Sequence, residues 1–234
     1  MSISQYAHGK RYEDSIKASF IGASDCRRVN TSKWDIESKF DKIRNIPTII
    51  KTTKSDTVCM ADATRFWGID LFPYRLLIGT YNQNGDIKDF SKMYEFIISE
   101  EEHNKIIGNL SLEEVSQFHN DICSFKYGQH EKAREFAKNK KIDLQYKTLV
   151  QLNPKIDSDS QRRLQCSLSI KLLTKECKEL TEFNENNRFF NEVNVVFPIK
   201  SSPREFNVSK KKRREIDKLR KDKEACQNKL DLLG

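Results

Sequence analysis

The chain has 234 residues, 37% hydrophobic and 32% charged, with 14 Phe and a mean hydropathy of -0.72; the aromatic content excludes a disordered polymer, and the length suits one large domain or a domain with a modest appendage. No apolar run approaches the roughly 18–20 residues of a membrane span, and the opening MSISQYAHGKRYED lacks the apolar stretch of a secretory leader, so a cytoplasmic protein with no membrane partner is expected. The 42 Lys+Arg against 34 Asp+Glu give +8 and point to a polyanion, nucleic acid first, yet residues 200–234 hold twelve Lys/Arg and six Asp/Glu, so residues 1–199 carry only about +2.

In chain order, residues 3–20 read as a helix with Tyr6, Tyr12, Ile16 and Phe20 near one stripe. Two extended segments follow: KWDIESKF at 33–40, where Trp34 and Ile36 alternate with Asp35 and Glu37, and the β-branched IPTIIKTT at 46–53, joined by a reverse connection through DKIRN. Residues 57–63 form a third strand that runs into an aromatic turn at 65–68. YRLLIGTY at 74–81 has the nearly continuous apolar character of a central strand, ended by the turn signal NQNGD at 82–86. Another strand is expected at 93–99, then helices near 101–107, 111–125 and 129–140, the second opening on the capping box of Ser111 and Glu114. Strand character returns at 148–153, 162–174 and 190–199. Residues 209–233 open with KKKRR and place Ile216, Leu219, Cys226, Leu230 and Leu233 at helical spacing. The expected fold is α/β: a mixed sheet flanked by helices, with a helical middle segment, as one domain over 1–199, followed by a basic helical extension over 200–234.

Cys26, Cys59, Cys123, Cys166, Cys177 and Cys226 show no C-x2-C pair and no histidine at ligand spacing, so reduced thiols are expected rather than a zinc site. The chemistry concentrates in 13–65. On a strand, Asp35 and Glu37 project from one face, and Lys51 lies sixteen residues after Asp35 in an otherwise apolar strand. Carboxylates that hold a hard divalent cation, with a lysine beside the attacking water, are what metal-assisted phosphodiester cleavage requires.

These segments, GKRYE at 9–13, WDI at 34–36, PTIIKTTKS at 47–55 and ADATRF at 61–66, resemble the PD-(D/E)XK nuclease superfamily, the type II restriction endonucleases in particular. The resemblance covers roughly residues 9–100. It implies a restriction-endonuclease-like core, Mg2+ as cofactor, double-stranded DNA as substrate and a homodimer that cuts one strand per subunit. Carried over by position, Asp35 is the metal ligand, Lys51 the catalytic lysine and Glu13 the helix carboxylate. The family's acidic position two before the lysine is Ile49 here. Either Glu37 supplies that carboxylate, giving a Mg2+ set of Asp35, Glu37 and Glu13, or the register is Asp25 with the literal E-x-K of Glu37 and Lys39.

A second feature points to DNA. In 162–174, Leu164, Cys166, Leu168, Ile170 and Leu172 alternate with Arg163, Gln165, Ser167, Ser169 and Lys171, and same-face strand side chains recur about every 6.7 Å, close to two base-pair rises. Arg and Gln also make bidentate contacts to guanine and adenine edges. Lys155, Arg162, Arg163, Gln165 and Ser167 are therefore candidate DNA contacts, together with Lys54, Ser55 and Arg65 beside the lysine strand. The sequence equally admits a non-catalytic nucleic-acid-binding protein on the same fold, which the isoleucine at position 49 favours.

Overall fold

The computed structural model describes residues 12–14, 16–17, 33–41, 44–84, 87–158, 161–183, 189–190, 193–194 and 199–201. Four strands form in the first half: β1 (Thr48–Thr53), β2 (Thr57–Asp62), β3 (Tyr74–Asn84) and β4 (Ile87–Ile98), with α1 (Ala63–Trp67) after β2. The middle is helical, with α2 (Glu100–Ile107), α3 (Leu112–Ser124) and α4 (His130–Gln145). Then come the hairpin β5 (Gln151–Ile156) and β6 (Arg162–Ser169), α5 (Ile170–Glu176), β7 (Glu179–Phe183), the short pair β8 (Phe189–Phe190) and β9 (Val193–Asn194), and β10 (Ile199–Ser201).

Two sheets carry the fold. The first has the order β1-β3-β4-β10, with β7 pairing a different stretch of β4; β1 lies parallel to β3 and every other pairing is antiparallel. The second is antiparallel, β2-β6-β5. The expected mixed sheet flanked by helices is present. β3 is central, as its apolar run predicts: Tyr74, Leu76 and Ile78 enter the larger core cluster, while Leu77 enters a second cluster on the opposite face. Burial on both faces leaves no room for the polar alternation of a half-exposed strand. The larger cluster also takes Val58 and Met60 from β2, Leu164, Cys166 and Leu168 from β6, and Val115, Phe118 and Ile122 from α3. The second sheet and the helical layer therefore close over one face of the first.

Both capping boxes on the helical layer are complete. Ser111 and Glu114 cap α3 as expected, and Ser99 and Glu102 cap α2, a pairing absent from the sequence reading. Four expectations about elements are corrected. Residues 33–40 do not form a strand: Ile36 makes a single bridge to Thr48, and Ser38–Phe40 is a turn of 3-10 helix. Trp34 accordingly packs in the larger cluster and Ile36 in the smaller, instead of sharing a face. The aromatic turn after β2 is helical, because Asp62 accepts the Arg65 amide at 3.1 Å and so caps α1. β6 stops at Ser169, the residue paired with the first residue of β2, Thr57; the Ile170 amide still donates to Asp56 O at 2.7 Å, and Ile170–Glu176 coils into α5 beyond the end of β2. β3 runs through Asn82 to Asn84 before its turn. The helical expectation for 3–20 is met at the described residues 12–14 and 16. Most of the 190–199 strand, the extension over 200–234 apart from the end of β10, Asp25, Cys26 and Cys226 lie outside the described residues.

Candidate functional site

β1 places Ile49 and Ile50 in opposite core clusters, and this alternation puts Lys51 on the side of Ile49. The chain before β1 brings Asp35 to the same edge, held by hydrogen bonds from the Asp35 and Ile36 amides to Thr48 O at 2.9 and 3.1 Å. Asp35 is buried; its Oδ2 accepts from the Ile50 amide at 2.7 Å and lies 3.6 Å from Lys51 Nζ. The two residues singled out from sequence as metal ligand and catalytic lysine thus meet in space.

Lys51 opens onto a small cleft of about 40 Å³, lined also by Lys33, Ile49, Met60, Ala61, Arg65, Phe66 and Ile69. Such a volume holds on the order of three waters. Lys33, absent from the sequence-derived set, is tied down by Gly68 O at 2.6 Å and the Asp70 carboxylate at 2.8 Å. Arg65 is exposed on α1 and makes no ion pair among the described residues, so its guanidinium and the Lys51 ammonium are the cations that the cleft offers an anion. Asp62, three residues before Arg65, remains an anion. Burial pushes its carboxyl upward, but the Thr64 hydroxyl, the Arg65 amide and the charges of His119 and Arg65 together hold it below the usual carboxylate range.

Ala61 adds a feature that spacing arguments could not supply. It sits at the bulge where β2 shifts register against β6, with φ at +71°, a conformation that non-glycine residues rarely adopt. The bulge aims the chain from the sheet into α1 and so brings Arg65 to the cleft. Strained backbone of this kind gathers at ligand-handling sites.

The remaining carboxylates lie elsewhere. Glu13 is buried and paired with Lys17 at 2.6 Å; Glu37 stands just before the 3-10 turn and pairs with Lys39 at 2.7 Å, its side chain 43% exposed. Among the described residues no three His, Cys, Asp or Glu side chains group as a metal site. Asp35, Glu37 and Glu13, the set expected to hold Mg2+, are therefore not grouped as a three-carboxylate site among the described residues. The cause is local: strand periodicity places Glu37 beside Asp35, and the segment is not a strand. Ile49, at the family's acidic position, is buried in the core.

The polar sheet face is present. Leu164, Cys166 and Leu168 are buried while Arg163 is exposed and Gln165 half-buried, and across the sheet Gln151, Ser167 and Cys59 stand in one row, Lys155 opposite Arg163 in another. The alternation ends at Ser169, so Lys171 belongs to α5 rather than to this face. Ser167 is only 5% exposed, bonded to Asn153 Nδ2 at 2.7 Å and Gln151 Oε1 at 3.1 Å, so it orders the amides that reach solvent. Arg162 points the other way and closes the hairpin, donating to Asp157 O and Gln161 O at 2.7 and 2.9 Å. Ser55 is likewise engaged in the β1–β2 turn, where its hydroxyl donates to Thr57 O at 3.2 Å. Lys54 is exposed at that turn. Cys59, Cys123, Cys166 and Cys177 are free thiols, and no described helix is long and apolar enough to cross a membrane. Comparison with known families, curated proteins and solved structures finds no match to this chain.

Proposed function

We propose that this chain is a DNA endonuclease that hydrolyses phosphodiester bonds of duplex DNA at the Asp35–Lys51 cleft, cutting a specific site as a homodimer in the manner of the type II restriction enzymes it resembles. The observation that carries the reading is the contact between buried Asp35 and Lys51, 3.6 Å apart, with Lys51 lining a cleft that Arg65 lines as well. Two residues chosen for phosphodiester chemistry from sequence, sixteen positions apart, are brought together with a second cation.

In the proposed reaction a water oxygen attacks phosphorus and gives its proton to solvent, negative charge builds on the non-bridging oxygens, and the bond to the leaving sugar oxygen breaks as that oxygen takes a proton from solvent. Lys51 and Arg65 stabilise that charge. The partial burial of Lys51, 20% exposed, makes its contact worth more than it would be in bulk water. Asp35, fixed by the Ile50 amide, holds the Lys51 ammonium in place. A homodimer would bring two such clefts to the two strands of a palindrome.

Full-length protein incubated with supercoiled plasmid of mixed sequence and Mg2+ is expected to give discrete linear products. Asp35→Asn, which keeps an oxygen for the Ile50 amide, and Lys51→Ala should each slow cleavage by about 10²-fold or more, with unchanged circular dichroism. Variants that cut as fast as wild type would refute the assignment. The second reading, a non-catalytic DNA binder, is favoured by buried Ile49 and by the dispersed carboxylates; plasmid bound but left intact by the wild type would establish it instead.

A further inference from the structure

We infer that the groove between α4 and the edge of β5 left unpaired among the described residues is a second polyanion site, one that holds the phosphate backbone of duplex DNA. The inference takes its substrate class from the endonuclease reading but uses none of the cleft residues. The groove encloses about 320 Å³ and is lined by Arg134, Lys138 and Lys141 from α4, with Ala137, Pro154 and Ile156 as an apolar floor. At 100° per residue the three cations fall on one stripe of the helix, and from Arg134 to Lys141 they span about 10.5 Å, close to three 3.4 Å steps of a nucleic-acid strand.

Among the described residues this charge is poorly neutralised. Arg134 pairs with Glu131 at 2.7 Å and donates from Nε to Ile156 O at 3.3 Å, which anchors the helix to the strand edge. Lys138 and Lys141 make no ion pair among the described residues, and Lys141 is half-buried. The Asp157 carboxylate, at the end of the strand, accepts the Gln161 amide at 2.8 Å. On the opposite face of the same edge strand Lys155 stands directly across from Arg163, both exposed and neither in an ion pair among the described residues. Like charges placed directly opposite destabilise a sheet pair. A polyanion lying along β5 meets cations on both sides of the strand and relieves that repulsion. Another β-strand does not fit the same edge, because Pro154 lacks a backbone donor and lysines line its flanks.

The test is binding of a fluorescein-labelled mixed-sequence duplex to the full chain across a salt series, without Mg2+. Lys138→Ala/Lys141→Ala is expected to weaken binding uniformly across sequences and to lower the slope of log affinity against log salt by about 2. Lys132→Ala/Lys140→Ala removes the same charge from other faces of α4 and should leave the slope near that of wild type. Equal losses from both double variants would overturn the inference, since net charge alone would then account for them. So would competition by poly-glutamate that displaces the duplex at matched charge and loses its grip in the Lys138/Lys141 variant, which would make the occupant an acidic polypeptide. The two readings fail separately: a wild type that cuts DNA with no change of slope in the groove variant removes only the groove, and a wild type that never cuts but shows the expected slopes removes only the nuclease.

Discussion

His103 shows how burial sets the behaviour of a single side chain. It lies in α2, 1% exposed, within an aromatic group of Phe66, Phe72 and Tyr74, its Nδ1 3.1 Å from the Tyr74 hydroxyl and its Nε2 without a hydrogen-bond partner among the described residues. Burial pushes its pKa down from 6.5 to about 4. The unfolded imidazole takes its proton near pH 6.5 and the folded one only near pH 4, so between these values the unfolded chain binds more protons and stability falls as pH drops. The contribution is fully present above pH 6.5 and amounts to about 3 kcal/mol, lost progressively on acidification. Urea titrations at several pH values should therefore show a steeper acid loss for wild type than for His103→Gln, which keeps a hydrogen-bonding group but does not titrate there; parallel pH profiles would refute it. Arg75, fully buried on β3, takes the opposite solution. Its guanidinium is buried with partners in place: Asp41 and Glu95 each accept from it at 2.8 Å, and Thr48 Oγ1 lies at 3.3 Å. In sequence Arg75 breaks an apolar run with no visible purpose, because its partners lie 34 residues before and 20 after. Asp35 and Lys51 are legible because residue chemistry and a family spacing point to them together; Lys33 and Ala61 are not, one lacking a motif and the other defined by a backbone angle.

Elements are most legible where one force fixes them. Nearly continuous apolar character identifies β3, and polar side chains at capping positions identify α3. Boundaries fail where tertiary pairing decides them, as at Ile170, whose strand-forming neighbours coil beyond the end of β2. The reverse case is Gly79, in the middle of a strand whose first half reads as nearly continuously apolar. A Cβ there would lie 2.4 Å from the Tyr12 ring, which is 1% exposed and stacks on Phe90 at 4.4 Å. The missing side chain is thus what lets the helical residues near 12 dock on β3, in a contact spanning 67 positions that local pattern cannot announce. Gly79→Ala gains intrinsic strand preference yet should destabilise the protein by about 1–3 kcal/mol, the cost of overpacking a filled core. Chemical denaturation should show a lowered midpoint; a neutral or raised one would mean that Tyr12 is not held against the strand.

At the scale of the whole molecule, the two sheets are not separate folding units. Leu76 and Ile78 of the first sheet, Val58, Leu164 and Leu168 of the second, and Phe118 of α3 share one cluster, and both tryptophans, Trp34 before β1 and Trp67 in α1, belong to it. Neither sheet can lose its packing without exposing the inner face of the other, so unfolding of this core is expected to be cooperative. Tryptophan fluorescence reports the cluster and far-ultraviolet circular dichroism the backbone, so their urea transitions should superimpose. Leu76→Ala, which empties a fully buried site on the central strand, should move both midpoints together by an amount equivalent to about 2–5 kcal/mol. Transitions that separate, or a variant that shifts fluorescence alone, would show that the second sheet melts by itself. The distinction matters for function because the proposed cleft is built across the division: Lys51 comes from β1 of the first sheet, and Ala61, whose bulge aims Arg65, from β2 of the second. If the two sheets moved independently, the cations would lose their spacing and catalysis would fail before the fold did; a single cooperative core keeps them at fixed separation.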